Sequence, residues 1–283
     1  MTNPTENAEA RREAMYNRGP TTVFASKTDP RFAYSLFVPP DVGAATTILV
    51  AQHGTGRALF DMRNAFGEFG RYNDCLVLAP LFPVGPLGDG NSDGFKYIRE
   101  GDIRYDTVLL GMIDEIAGRY GVNADKFFLY GYSGGGHFAH RFFYLHPDRL
   151  KAVSIGAPGS VTMPDETRDY WVGCRNLEAL FGRRLDVAAM RTVAVHQVVG
   201  GADRETWEIT HKPGGRNWME GANSAGATRV DRSTALNEAF KTLGIKTRFD
   251  IIPGVSHDNL KAVGKVKDFF LDVLKGRFAG SNS

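Results

Sequence analysis

Six short apolar runs punctuate the sequence, and helix-patterned stretches separate most of them. The runs are TTILVAQHG (46–54), CLVLAPLF (75–82), FFLYGYS (127–133), KAVSIGAPG (151–159), TVAVHQVVGG (192–201) and TRFDIIPG (247–254). Runs this short and this apolar suit strands buried on both faces of a parallel sheet. The stretches 58–73, 105–121, 135–146, 233–244 and 262–276 carry apolar residues at helical spacing, as with Val108, Leu109, Met112, Ile113 and Ile116. Strands alternating with helices predict a doubly wound α/β sheet with right-handed crossovers. Upstream, TTVFAS and FAYSLFVPP flank the turn KTDPR and read as an antiparallel pair. With 283 residues and no internal repeat, one domain over 19–283 is expected, preceded by a polar extension over 1–18.

Composition excludes several classes. The formal net charge is +2 with no block of like charges, so neither nucleic acid nor an anionic membrane is expected as a partner. No stretch approaches the ~18 apolar residues of a membrane span. The first residues, MTNPTENAEARREAMYNRG, lack an apolar core of the secretory kind. Two cysteines, Cys75 and Cys174, cannot form a disulfide framework and read as free thiols in a reducing compartment. A cytoplasmic protein is therefore expected; its oligomeric state is left open.

Three segments break the alternation, at 83–103, 160–184 and 203–229. Each follows the C-terminal end of a predicted strand, the edge at which open α/β sheets bind ligands. Long irregular insertions in a compact domain are commonly functional. Their aromatic residues, among them Phe95, Tyr97, Tyr170, Trp171, Trp207 and Trp218, argue for ordered structure.

The stretch FFLYGYSGGGHFAH (127–140) stops a buried strand at Ser133, surrounds it with glycines and runs on into a helix. G-x-S-x-G in that setting forms a sharp turn that exposes the serine hydroxyl above the sheet edge. Gly131 and Gly135 permit the close strand–helix approach, and the helix N-terminus offers N–H groups and partial positive charge to an oxyanion. A serine needs a base to become a nucleophile. The chain order that goes with this turn is serine, acid, histidine. His257, on the loop after the last strand, fits the base. Asp203, after an apolar strand and a double glycine, fits the acid that orients it, with Glu205 the nearest rival; Asp258, Asp165 and Asp169 fit less well. His137, His140, His146 and His196 read as packing residues. His211 lies in an irregular segment and reads as a substrate contact. The turn after the first run, His53-Gly54-Thr55-Gly56, supplies an oxyanion amide from Thr55, or from neighbouring Gly54, to partner that of Gly134. Trp207, Trp218, His211, Tyr97 and Phe95 are the expected substrate-binding residues, and 203–229 with 160–184 is expected to form a lid or wall over Ser133.

With those residues in place the chain resembles the α/β-hydrolases. The stretch from Tyr105 to Gly159 is similar to the polyhydroxybutyrate-depolymerase and feruloyl and acetylxylan esterase branch: VNADK leads into the strand, GYSGGG forms the turn and HPDRLKA follows. The resemblance implies a Ser-Asp-His hydrolase of carboxylic esters that uses no metal and no organic cofactor. Secreted members of that branch carry signal peptides and disulfides, and HGTG differs from the HGGG of the hormone-sensitive-lipase branch. The expected substrate is thus a small ester with an apolar or aromatic part. Thioester, amide or C–C hydrolysis and acyl transfer use the same machinery, and a non-catalytic hydrolase-like binding protein is the remaining alternative.

Overall fold

The structure, a computed structural model, describes Arg11 and residues 16–278. Most of the polar extension expected over 1–18 thus lies outside the described residues. Eight strands form one sheet: β1 (Gly19–Ala25), β2 (Ala33–Val38), β3 (Thr47–Gln52), β4 (Cys75–Leu81), β7 (Phe127–Tyr132), β8 (Leu150–Gly156), β9 (Ala194–Gly200) and β10 (Thr247–Ile252). Their spatial order is β1-β2-β4-β3-β7-β8-β9-β10. β1 and β2 pair antiparallel, as does β2 with β4; every later pair is parallel. A two-stranded ribbon, β5 (Arg99–Glu100) with β6 (Ile103–Arg104), lies apart.

Alternation along the buried strands builds two cores. On β7, Phe127 and Leu129 face one side while Phe128 and Tyr130 face the other; β3 divides Ile48 and Val50 from Leu49 and Ala51 in the same way. The first face is covered by α2 (Tyr105–Tyr120), α3 (Gly134–Leu145) and α6 (Arg229–Thr242), through residues such as Met112, Phe142 and Phe240. The second is covered by α1 (Leu59–Tyr72) and α7 (Asn259–Leu274), where Phe270 stacks on Phe128 at 4.8 Å. Two short helices, α4 (Leu177–Phe181) and α5 (Val187–Met190), lie between β8 and β9.

One strand departs from expectation. β10 is an edge, with Ile251 46% exposed, rather than a strand buried on both faces. Its charged residues Arg248 and Asp250, paired at 2.8 Å, keep that edge polar and discourage pairing with another chain. Helix α6 also begins four residues before the predicted 233, because Thr228 and Asp231 form a reciprocal capping box.

The chain runs from β3 outward to β4, then crosses back over β3 to β7. The winding therefore reverses between β3 and β7, and a crevice opens at their C-terminal ends. Gln52 pairs with Gly131, so the two strands end level and deliver Gly54-Thr55 and Ser133 side by side. No helix of the described residues is long and apolar enough to cross a membrane.

Cys75 and Cys174 are unpaired and buried, and burial pushes each thiol up to about 12. At pH 8 only about one thiol in ten thousand would then be ionised. A disulfide-exchange reagent at that pH should leave both untouched in the folded protein and titrate both after denaturation. Rapid reaction of either thiol in the native state would contradict this packing.

Candidate active site

Ser133 sits at φ 56° and ψ −119°, a conformation that side-chain-bearing residues rarely adopt and that costs on the order of 1–3 kcal/mol. The surroundings hold it there. Its N–H donates to Gly156 O at 2.9 Å, and its carbonyl accepts from His137 N at 3.1 Å as α3 begins. The flanking glycines are required by contact: a Cβ on Gly131 would lie 2.1 Å from Gly135 O, and one on Gly135 would lie 2.7 Å from Gln52 O. Gly136, beyond the motif, is confined just as tightly by Gly156 O.

Across from the serine, the loop after β3 brings its backbone against α3. A Cβ on Gly134 would meet Thr55 N at 3.0 Å, and one on Gly54 would meet Tyr132 O at 3.1 Å. The Thr55 N–H thus lies close against Gly134, and neither the Thr55 nor the Gly134 N–H has a hydrogen-bond partner among the described residues. Arg57 fixes this loop by donating to Thr55 O at 2.6 Å, Phe82 O at 3.1 Å and Ser92 O at 2.7 Å. His53 adds a tie, accepting from Phe82 N at 2.9 Å through Nε2.

His257 and Asp203 come from the loops after β10 and β9. The double glycine before Asp203 lets those loops touch: a Cβ on Gly200 would lie 2.3 Å from the carbonyls of Val255 and Ser256, and Ala202 N donates to Val255 O at 2.8 Å. His257 Nδ1 donates to Asp203 Oδ2 at 2.6 Å, which leaves Nε2 for other work, and the imidazole packs on the Tyr132 ring at 5.1 Å. The Asp203 side chain is fully buried. Its second oxygen accepts from Arg229 Nη1 at 3.3 Å, and Arg229 Nη2 donates to Glu208 at 2.5 Å. Ser133, His257, Gly54 and Thr55 line a single cavity of about 540 Å³, which also takes in Met62, Tyr132, Glu208 and Leu260.

Three of the rival carboxylates are engaged elsewhere, and Glu205, the nearest rival, is exposed. Asp258 caps α7, Asp165 binds Thr167 and Arg168, and Asp169 pairs with Arg175. The Nε2 of His137 accepts from both Gly159 N and Ser160 N, and burial holds its pKa well below the usual histidine range. His140 Nε2 accepts from Thr162 N, His146 pairs with Asp106, and His196 lies between Ser154 and Asp250.

The expected substrate residues divide. Trp207, Trp218, His211 and Tyr97 gather around a second cavity of about 440 Å³ that meets the first at Glu208. Phe95 does not join them. It is 1% exposed and packs between His53, Phe82 and the Arg57 guanidinium, in the core and away from either cavity. The segment 160–184 lines neither cavity; Trp171 Nε1 donates to Asn217 O and Arg168 to Ser224, so it props 203–229 from behind. Arg229 and Glu208 were not foreseen. The pattern Thr228-x-x-Asp231 was the available signal, since it places Arg229 in the first turn of α6 beside Asp203.

No protein-family model matches the sequence, and neither does any curated protein. Solved structures do match. A poly(3-hydroxybutyrate) depolymerase from Bordetella parapertussis aligns with a TM-score of 0.72 at 19% identity, over 94% of this chain and 93% of that one. Poly(aspartic acid) hydrolase-1 from Sphingomonas sp. KT-1 gives 0.67 at 21% identity, over 84% and 92%. An S-formylglutathione hydrolase from Agrobacterium tumefaciens gives 0.60 at 19%, over 92% and 99%. The chain has the α/β-hydrolase fold.

Backbone strain at Ser133 makes a stability prediction. Ser133→Gly should raise the thermal midpoint, by the equivalent of about 1 kcal/mol, because glycine accepts this φ without cost. Ser133→Ala should give no such gain. A destabilised glycine variant would show that the turn is not strained.

Proposed function

We propose that the protein is a serine hydrolase of carboxylic esters, working through an acyl-enzyme. The observation that carries this reading is the strained Ser133 sharing one cavity with His257, whose Nδ1 is held at 2.6 Å by a buried carboxylate. The structural neighbours, among them a ferulic acid esterase at 16% identity and a TM-score of 0.59, carry names that agree with it.

In this reading the ester carbonyl sits over Ser133 with its oxygen toward the amides of Thr55 and Gly134. Ser133 Oγ attacks the carbon as His257 Nε2 takes its proton. Asp203 stabilises the imidazolium and keeps the ring oriented. The two amides, close together and unpaired, stabilise the oxyanion of the tetrahedral intermediate. Collapse breaks the bond to the alcohol, which leaves with the proton from His257. A water molecule then repeats the sequence on the acyl-serine, His257 again acting as base, and frees the acid and Ser133. No step calls for a metal or an organic cofactor. Met62, Tyr132 and Leu260 give the otherwise polar cavity over the serine an apolar patch for a small apolar or aromatic part of the substrate.

Ser133→Ala should lower kcat on the best ester by roughly 10⁴ to 10⁶ while leaving the fold intact. His257→Ala should come close to that, and the double variant should be no worse than either, because the two residues act as one unit. Asp203→Asn should lose somewhat less. Steady-state kinetics on purified variants decide: a serine variant keeping more than about a tenth of wild-type activity, or near-normal turnover in Asp203→Asn beside an inactive Glu205→Gln, would overturn the assignment.

A further inference from the structure

The second cavity differs from the first in charge. The cavity over Ser133 is bordered by Asp61, Glu208 and Asp258 and by no lysine or arginine. The neighbouring one is bordered by Lys96, Lys212 and Arg216 against Asp93 and Glu208. Both of those carboxylates are already engaged. Asp93 pairs with Lys96 Nζ at 2.7 Å, and Glu208 pairs with Arg229. Lys212 and Arg216 have no carboxylate within ion-pair distance among the described residues.

Behind this wall lie two more cations without a carboxylate. Arg141 and Arg232 are each 1% exposed. Arg141 donates to Lys96 O and to the hydroxyls of Thr162 and Ser160, and stacks on Tyr97 at 4.5 Å. Arg232 donates to the carbonyls of Gly226, Gly159 and Ile209 and to Asn223. Neutral oxygens satisfy their hydrogen bonds but do not cancel their charge, and buried guanidinium groups ordinarily find an anion. Burial first, and then the nearby charges of Arg232 and Arg141, hold His211 down to about 4.

This basic cavity adjoins the reacting centre. A Cβ on Gly134 would lie 3.1 Å from Lys96 Cε, so the lysine stem runs along the amide proposed to hold the oxyanion. Glu208 borders both cavities. We infer that the substrate is an ester bearing a carboxylate, which sits in the cavity formed by Asp93–Tyr97 and Trp207–Trp218 while the ester carbonyl lies over Ser133. With Asp93 taken by Lys96 and Glu208 by Arg229, Lys212 and Arg216 are left as the uncompensated cations of the wall, which a substrate carboxylate would face. Trp207 and Trp218, 76% and 43% exposed, offer apolar faces to the carbon chain joining the two groups. The inference rests on the serine-esterase reading of Ser133.

The test compares carboxylates with their neutral carboxamide isosteres. One pair places the charge on the acyl side: the p-nitrophenyl monoester of glutaric acid against that of glutaramic acid. The other places it on the alcohol side: the butanoyl ester of 4-hydroxybenzoate against that of 4-hydroxybenzamide. In at least one pair kcat/KM should favour the carboxylate by about tenfold at low ionic strength, the preference shrinking as salt is added. That ratio should fall by about fivefold or more in the Lys212→Gln/Arg216→Gln variant. Ratios within about twofold of unity in both pairs, or a preference untouched by the double substitution, would overturn the inference and leave the esterase reading standing. If no member of either pair is hydrolysed, the esterase reading fails. Titration with monomethyl glutarate then decides the cavity's role, read by tryptophan fluorescence, since all three tryptophans lie in or against it. Binding that the double substitution weakens supports the anion site; no binding overturns it.

Discussion

Close approach of three backbone segments is the constraint on which the site depends. The end of β7, the first turn of α3 and the end of β3 with its loop pack so tightly that Gly131 and Gly135 cannot carry a Cβ without meeting a carbonyl oxygen. That packing forces Ser133 into positive φ and holds it there at a cost the rest of the fold must supply. The same closeness brings Thr55 N against Gly134. Strain at the serine and the close approach of two unpaired amides therefore arise from the same packing. Relaxing the turn would release the strain and scatter the donors together.

A second tie joins the other two site residues to the sheet. Gly200 lets the loop after β9 touch the loop after β10, so Asp203 reaches His257. A buried carboxylate with one neighbour would be an expensive group. Arg229, fixed at the capped start of α6, supplies the countercharge on the other oxygen and passes on to Glu208, which borders both cavities. The histidine's support thus extends into the wall of the proposed substrate cavity, and a ligand against Glu208 would be read by the same chain of ion pairs.

The sheet was legible because its strands are buried on both faces, which leaves continuous apolar runs such as TTILVAQHG and FFLYGYS that no amphipathic helix would show. Ser133 was legible because strand, glycines and helix had to coincide for the turn to form. Asp203 was marked by Gly200-Gly201, whose purpose the structure supplies. What the sequence hid was set by tertiary contact. Phe95 and Tyr97 lie two residues apart in one irregular segment, yet one fills the core under Arg57 and the other borders a cavity; composition carries no sign of which. Segment 160–184 looks like a lid by the same aromatic content, but its tryptophan props 203–229 from behind. The buried arginines Arg141 and Arg232 sit in helices whose pattern gives no hint that they lack a carboxylate partner.

The most direct measurement is a crystal structure of the protein after reaction with an alkyl fluorophosphonate. The geometry predicts a single covalent adduct on Ser133 Oγ, with the phosphonyl oxygen within about 3.1 Å of both Thr55 N and Gly134 N. His257 should stand on the opposite side of the adduct, still bonded to Asp203. Attachment at another side chain, or an adduct on Ser133 whose oxygen meets neither amide, would contradict it.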